Sequence, residues 1–249
     1  MSIDSERLDA LNSGHTASRT LAEALAVDQP TLLRAVVPDP APDLLVAATA
    51  AGKLGILRRM WAMGELLTRI DDISFARHPS DTVRGWVCFA IAHRHGNDPE
   101  VMLDQLQPFA DDEHFAVREW AWMAARPSLV RDLDAGIALL IPWTVHTSER
   151  IRRFASEALR PRGVWARHIE ELKQEPHRGE PLLEPLRSDP SRYVQDSVAN
   201  WINDAARTRP NWAVELCRRW QEESPTPATS RITKRALRSV QRPPEERKG

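Results

Sequence analysis

Three carboxylates of this chain stand at helical spacing among polar residues, two of them between arginines. Glu119 neighbours Arg118 and Arg126, Glu157 lies between Arg153 and Arg160, and Asp204 closes a polar series with Asp196, Asn200 and Asn203. Turned at about 100° per residue, the last series falls opposite Val194, Val198, Trp201 and Ile202, so one helix separates a core side from a polar side. The same offsets in other segments present Arg153, Glu157 and Arg160, then Glu119 and Arg126, then Lys234 and Arg238. Two chemistries fit such a strip. It can be a ladder of ion pairs, each contributing about 0–1 kcal/mol when solvated. It can also bind phosphate, because arginine offers a planar fork for bidentate contacts and stacks on aromatic rings. Metal chemistry is a poor match: His93 and His95 are two residues apart and cannot share a helix face. Cys88 and Cys217 are too distant in sequence for a zinc pattern or disulfide framework and read as buried thiols.

The elements that must position these groups show themselves by repetition. Val83-Arg84-Gly85-Trp86, Val117-Arg118-Glu119-Trp120, Ile151-Arg152-Arg153-Phe154, Val194-Gln195-Asp196-Ser197 and Ile232-Thr233-Lys234-Arg235 follow one template, with steps of 34, 34, 43 and 38 residues between their first positions. Such a period holds two antiparallel helices, which predicts an all-α solenoid whose inner helices line a concave face. We expect a single repeat domain over residues 1–241. Residues 1–75 form an N-terminal cap and atypical first repeat, 76–222 the core repeats, and 230–241 the last helix, followed by a disordered tail over 242–249. The cap holds one or two short helices ending at Asp28-Gln29-Pro30. Residues 42–67 are helical with bends at Gly52 and Gly55, and Ser224–Ser230 is an extended connector.

Overall charge is −1, but it is unevenly spread: residues 1–75 carry −3, residues 76–140 carry −4 and residues 141–249 carry +6. Only four of 34 basic residues are lysine. A positive C-terminal part rich in arginine suits a polyanion, although the asymmetry alone does not require one. No apolar run approaches the roughly 18–20 residues of a membrane span. The acidic start does not read as a signal peptide, so a cytoplasmic monomer without membrane attachment is expected.

Two longer runs carry a family likeness. Arg152-Arg153-Phe154-Ala155-Ser156-Glu157 with Arg160-Pro161-Arg162 and Trp165, and Tyr193 through Asp204, resemble the bacterial DNA alkylation repair family, the HEAT-like alkylpurine glycosylases of the AlkC and AlkD type, with greater likeness to AlkC. The resemblance covers roughly residues 75–222. It implies a HEAT-like array that holds double-stranded DNA and excises N3- or N7-alkylated purines. Such a purine is already cationic, so it leaves without a general acid. What the reaction needs is a preorganised carboxylate to stabilise positive charge on the sugar and orient water. No metal, cofactor or nucleophile is called for. The likeness ranks Asp204 first as that carboxylate, Glu157 second and Glu119 third. For DNA contacts it nominates Arg118, Arg152, Arg153, Arg160, Arg162 and Asn200, and the polar strip adds Lys234 and Arg238 on the last helix. Trp165 and Trp122 are the rings expected to face a base or sugar by cation–π contact; Trp86, Trp120 and Trp201 are expected in the core.

At one position the chain departs from the family. Where AlkC-like sequences carry a glutamate in a Glu-Phe-Ala-Ile-Arg motif, this chain reads His114-Phe115-Ala116-Val117-Arg118. Glu113 is one residue away, about 100° around a helix, and does not simply substitute. The alternative function is therefore a HEAT-repeat module that binds DNA or a protein partner without cleaving a bond.

Overall fold

The structure, a computed structural model, describes residues 3–70 and 73–240; the 242–249 tail lies outside the described residues. Among them every regular element is helical: fifteen α-helices and short 3₁₀ turns, with no strand. The chain divides into two compact units, Met1–Ala125 and Arg126–Gly249. No helix among the described residues is long and apolar enough to cross a membrane.

The first unit begins with α1 (Ser5–Asn12), α2 (Leu21–Ala26) and α3 (Gln29–Val36). Asp28 ends the short helices as expected, then caps α3: its carboxylate accepts the Thr31 N–H at 3.2 Å, and Pro30 occupies the first turn, where a missing N–H costs nothing. The helical stretch expected over 42–67 is α4 (Pro42–Gly52) and α5 (Ile56–Leu67). Next come α6 (Asp81–His95), α7 (Pro99–Ala110) and α8 (Phe115–Arg131), within which the division between units falls. Helices α5 and α6 approach closely because residue 64 is glycine; a Cβ there would lie 2.4 Å from the Phe89 Cβ.

The second unit continues with α9 (Leu133–Leu140), α10 (Glu149–Ala158), the short α11 (Glu170–Gln174) and α12 (Glu180–Leu183), then α13 (Arg192–Ala206), α14 (Pro210–Glu223) and α15 (Pro227–Ala236). The five template segments are α6, α8, α10, α13 and α15. Within this unit α13 packs against both α10 and α15. Its apolar side, Val194, Val198, Trp201 and Ile202, is wholly buried, as are Ile151, Phe154 and Ile232 of its neighbours. The last helix starts earlier than the expected residue 230. The Thr226 hydroxyl accepts the Thr229 N–H at 3.1 Å and Pro227 takes the first helical position, so the extended connector shrinks to Ser224–Thr226.

One local device recurs at the start of the template helices. Ser80, Ser148 and Ser191 cap α6, α10 and α13 through their hydroxyls. His114 holds the same register ahead of α8, and its Nδ1 accepts the Ala116 N–H at 3.3 Å. The cap residue's own N–H is taken by a side chain two positions earlier: His78 at 3.1 Å, Asp112 at 2.7 Å, His146 at 3.0 Å and Asp189 at 2.8 Å. The second template residue then closes the loop by donating to its carbonyls. Arg84 reaches the carbonyls of His78 and Pro79, Arg118 those of Asp112 and Glu113, Arg152 those of His146 and Thr147, and Gln195 that of Asp189. Arg84 also forks onto Asp112 at 3.0 and 3.2 Å, and Arg152 onto Asp189 at 2.6 and 3.1 Å, so each joins its loop to that of the next repeat.

Candidate active site

The other ends of the template helices carry a different arrangement. At the twelfth residue of α8, Arg126 donates from Nη1 to the Ala158 carbonyl at 2.7 Å and from Nη2 to the Arg160 carbonyl at 2.8 Å, filling acceptors that the end of α10 leaves open. In the same register of α13, Asn203 Nδ2 donates to the carbonyl of Ala236, the last residue of α15, at 2.7 Å. Arg160 occupies this register after α10 and breaks the pattern. It turns to carboxylates, with Nη1 2.7 Å from Glu157 Oε1 and with Nε and Nη2 3.0 and 2.9 Å from Asp204 Oδ2. Arg162 Nε takes the Asp204 carbonyl instead, at 3.1 Å.

Glu157 is saturated. Its second oxygen accepts the Ser197 hydroxyl at 2.6 Å, Ser156 Oγ stands 2.8 Å behind Ser197, and Arg153 lies 3.6 Å away. Burial alone would raise the Glu157 pKa, but Arg153, Arg160 and the Ser197 hydroxyl outweigh it and hold the carboxyl below its ordinary value. Asp204 goes the other way. Burial lifts its pKa, and the one arginine bonded to its carboxylate is shared with Glu157, whose own negative charge adds to the rise. Among the described residues Oδ1 of Asp204 accepts no hydrogen bond. The site thus pairs a satisfied carboxylate with one whose negative charge is under-compensated.

The chain after Arg160 forms a loop, Pro161 to Ile169, closed by the Ile169 N–H on the Pro161 carbonyl at 3.0 Å. Its tip exposes Val164 and Trp165, and Trp165 has a left-handed backbone with φ of 60°. Lys234 and Arg238 are exposed on the same unit, and Arg238 donates to Asn200 Oδ1 at 2.9 Å. The Arg153 guanidinium also lies 4.8 Å from the Tyr193 ring centroid.

Several candidates from the sequence stand elsewhere. Arg118 and Arg152 were nominated for DNA, yet their guanidinium groups are committed to loop carbonyls, and Arg152 to Asp189 as well. Trp122 was nominated as a stacking ring, but it is 1% exposed and donates its indole N–H to Glu119 at 2.7 Å, so it offers no face to a base. That bond also gives Glu119 a structural partner. His114 is held two ways: its Nδ1 accepts the cap N–H, and its Nε2 donates to the Ser18 carbonyl at 2.6 Å. Trp86, Trp120 and Trp201 are core residues, and both cysteines are buried, with Cys217 pushed up to about 12 by burial. Sequence reasoning missed Arg126 and Ser197 as site residues. The available signal was the register shared by Arg126, Arg160 and Asn203.

Comparison with known proteins gives this geometry a context. No protein-family model matches the chain. The uncharacterized protein YhaZ of Bacillus subtilis (strain 168) is 38% identical over 128 residues, which is 51% of this chain and 35% of that protein. Among solved structures, Pseudomonas fluorescens alkylpurine DNA glycosylase AlkC, bound to DNA containing an abasic site analog, matches with a TM-score of 0.67 and 25% identity, over 95% of this chain and 63% of that one. Streptococcus mutans AlkD2 matches at 0.55 and 18% identity over 82% of this chain and 91% of its own, a likeness of fold alone. The chain therefore spans about a third of its curated relative and under two thirds of the AlkC chain.

Proposed function

We infer, for a chain whose fold resembles that of the HEAT-like alkylpurine DNA glycosylases, a role in DNA alkylation repair: binding of duplex DNA and hydrolysis of the N-glycosidic bond of N3- or N7-alkylated purines. The observation that carries this reading is Asp204, a buried carboxylate with a raised pKa, one oxygen held by Arg160 and the other without a hydrogen-bond partner among the described residues. A group in that state gains most from a new positive charge beside it. As the bond between C1′ and the base breaks, the electron pair leaves with the cationic purine and neutralises it, while positive charge develops on the sugar. Asp204 Oδ1 stabilises that charge and orients the water whose oxygen bonds to C1′, and the proton that this water loses passes through the carboxylate to solvent. Glu157 anchors Arg160 from the other side. Trp165 offers its ring to the cationic base, and Arg162, Lys234 and Arg238 supply phosphate contacts that make binding salt-dependent.

The alternative is a HEAT-repeat module that holds DNA or a protein partner without chemistry. One observation favours it: the residue at the family's glutamate position is His114, which is occupied as a helix cap. The test is release of 3-methyladenine and 7-methylguanine from duplex DNA by the wild-type protein and by Asp204→Asn. Release that the variant abolishes supports the enzyme. No release, with salt-sensitive DNA binding retained, supports the module.

A further inference from the structure

Capping the end of α10 does not require an arginine. Asn203, in the same register, caps α15 with a neutral amide. Arg126 is nevertheless a cation at 4% exposure, its pKa pushed down to about 10 by burial and by the neighbouring charge of Arg160. Burying a charge against neutral carbonyls is expensive unless the extra donors do something a shorter side chain cannot. The additional donors go to the Pro161–Ile169 loop. Nη2 also reaches the Arg167 carbonyl at 3.0 Å and Nε reaches it at 3.3 Å, so one planar group spans from the residue before the loop to a carbonyl near its end. Gly163 sits on that plane: a Cβ there would stand 3.3 Å from Arg126 Cζ and 3.4 Å from Nη1.

The loop needs such a template. It has only two internal backbone hydrogen bonds, Ile169 to Pro161 and Ala166 to Gly163, the second at 3.4 Å. Ordering its backbone costs conformational entropy at every residue, and the left-handed Trp165 adds strain that its surroundings must hold. We propose that Arg126 is a positioning residue, which fixes this loop and so sets the Trp165 ring relative to the Arg160–Asp204 pair, acting on a bound substrate only through the loop. The proposal rests on the excision reading for its effect on rate, and on geometry alone for its effect on the loop.

The experiment compares wild type, Arg126→Lys, Arg126→Met, Trp165→Ala and Arg126→Met/Trp165→Ala, each first shown by circular dichroism and thermal melting to be folded. Single-turnover release of 3-methyladenine is measured with DNA affinity, and trypsin cleavage after Arg162 and Arg167 is followed in parallel. Misplacing a group by about 1 Å can cost about 100-fold, so folded Arg126→Met should lose rate on that order at saturating enzyme, with affinity changed by less than about threefold. Arg126→Lys should recover part of the loss. Removing Trp165 should cost much less in the Arg126→Met background than in wild type, and loop cleavage should accelerate at least about tenfold. Additive rate losses in the double variant, or unchanged cleavage in folded Arg126→Met, would overturn the proposal. If wild type releases no base, the excision reading fails by itself, and the cleavage arm still decides whether Arg126 holds the loop.

Discussion

The beginnings and the ends of the template helices are built from the same residue types, arginines beside carboxylates, and do different work. At the beginnings, the guanidinium groups of Arg84 and Arg152 are bound by loop carbonyls and by one bidentate aspartate. At the ends, Arg160 is divided between two carboxylates, and Asp204 keeps an oxygen that accepts no hydrogen bond among the described residues. The difference teaches how to tell a lock from a site. The informative quantity is whether the carboxylate's charge is fully answered, and neither the number of charges nor their burial reveals that.

The comparison breaks most visibly in catalysis. Asp204→Asn is expected to reduce release of alkylated purine by about 100- to 1,000-fold, the range for losing one preorganised electrostatic contact. DNA affinity should stay within a few-fold. A variant that retains full rate would move Asp204 into the structural class. Arg152→Ala is the reciprocal case: it strands the buried Asp189 carboxylate, and urea unfolding should report a loss of about 2–4 kcal/mol. Release by its folded fraction should be unchanged; a specific loss of DNA binding would instead return Arg152 to the interface.

Titration separates the two carboxylates of the cluster. Glu157 has a folded pKa below its ordinary 4.5, so its charge contributes stability above that value, lost as pH falls through the folded pKa. Asp204 is raised above 3.8, so its contribution is present below that value and is lost as pH rises through the folded pKa. Urea midpoints taken from about pH 3 to 7 should show Glu157→Gln falling further behind wild type with rising pH and Asp204→Asn gaining on it. Parallel curves would mean that both carboxylates are equally compensated.

The smallest effect is expected at His114. Serine caps the same register in three other repeats, so His114→Ser should keep the cap, lose the bond to the Ser18 carbonyl at a cost of about 0.5–1.5 kcal/mol, and leave base release unaltered. A large drop in release would give the histidine a chemical role beyond its cap.

Much of this arrangement was legible in the sequence, for reasons that also explain the failures. The apolar rhythm beginning at Val83, Val117, Ile151, Val194 and Ile232 located the template helices, because burial fixes which side of a helix is apolar. Prolines and serines marked many of their starts. A helical projection, however, gives only the direction around the axis in which a side chain leaves. Arg118 and Arg152 leave toward the polar side and then run back along the helix to their own loops, a path set by side-chain length and by the tilt of the Cβ bond toward the N-terminus. Trp122 lay off the repeated aromatic offset and looked available, but a bond to Glu119 three residues earlier folds it inward. The open oxygen of Asp204 depends on how Arg160 divides its donors between Glu157 and Asp204, which stand on two different helices, and no single helix encodes that.

The left-handed turn at Trp165 has an optical consequence. Of the nine tryptophans, it is the most exposed among the described residues, at 44% accessibility, while the core indoles are wholly or nearly wholly buried. Its emission should form the red-edge component that acrylamide quenches first, so the protein carries an intrinsic reporter of whatever comes to rest against that loop.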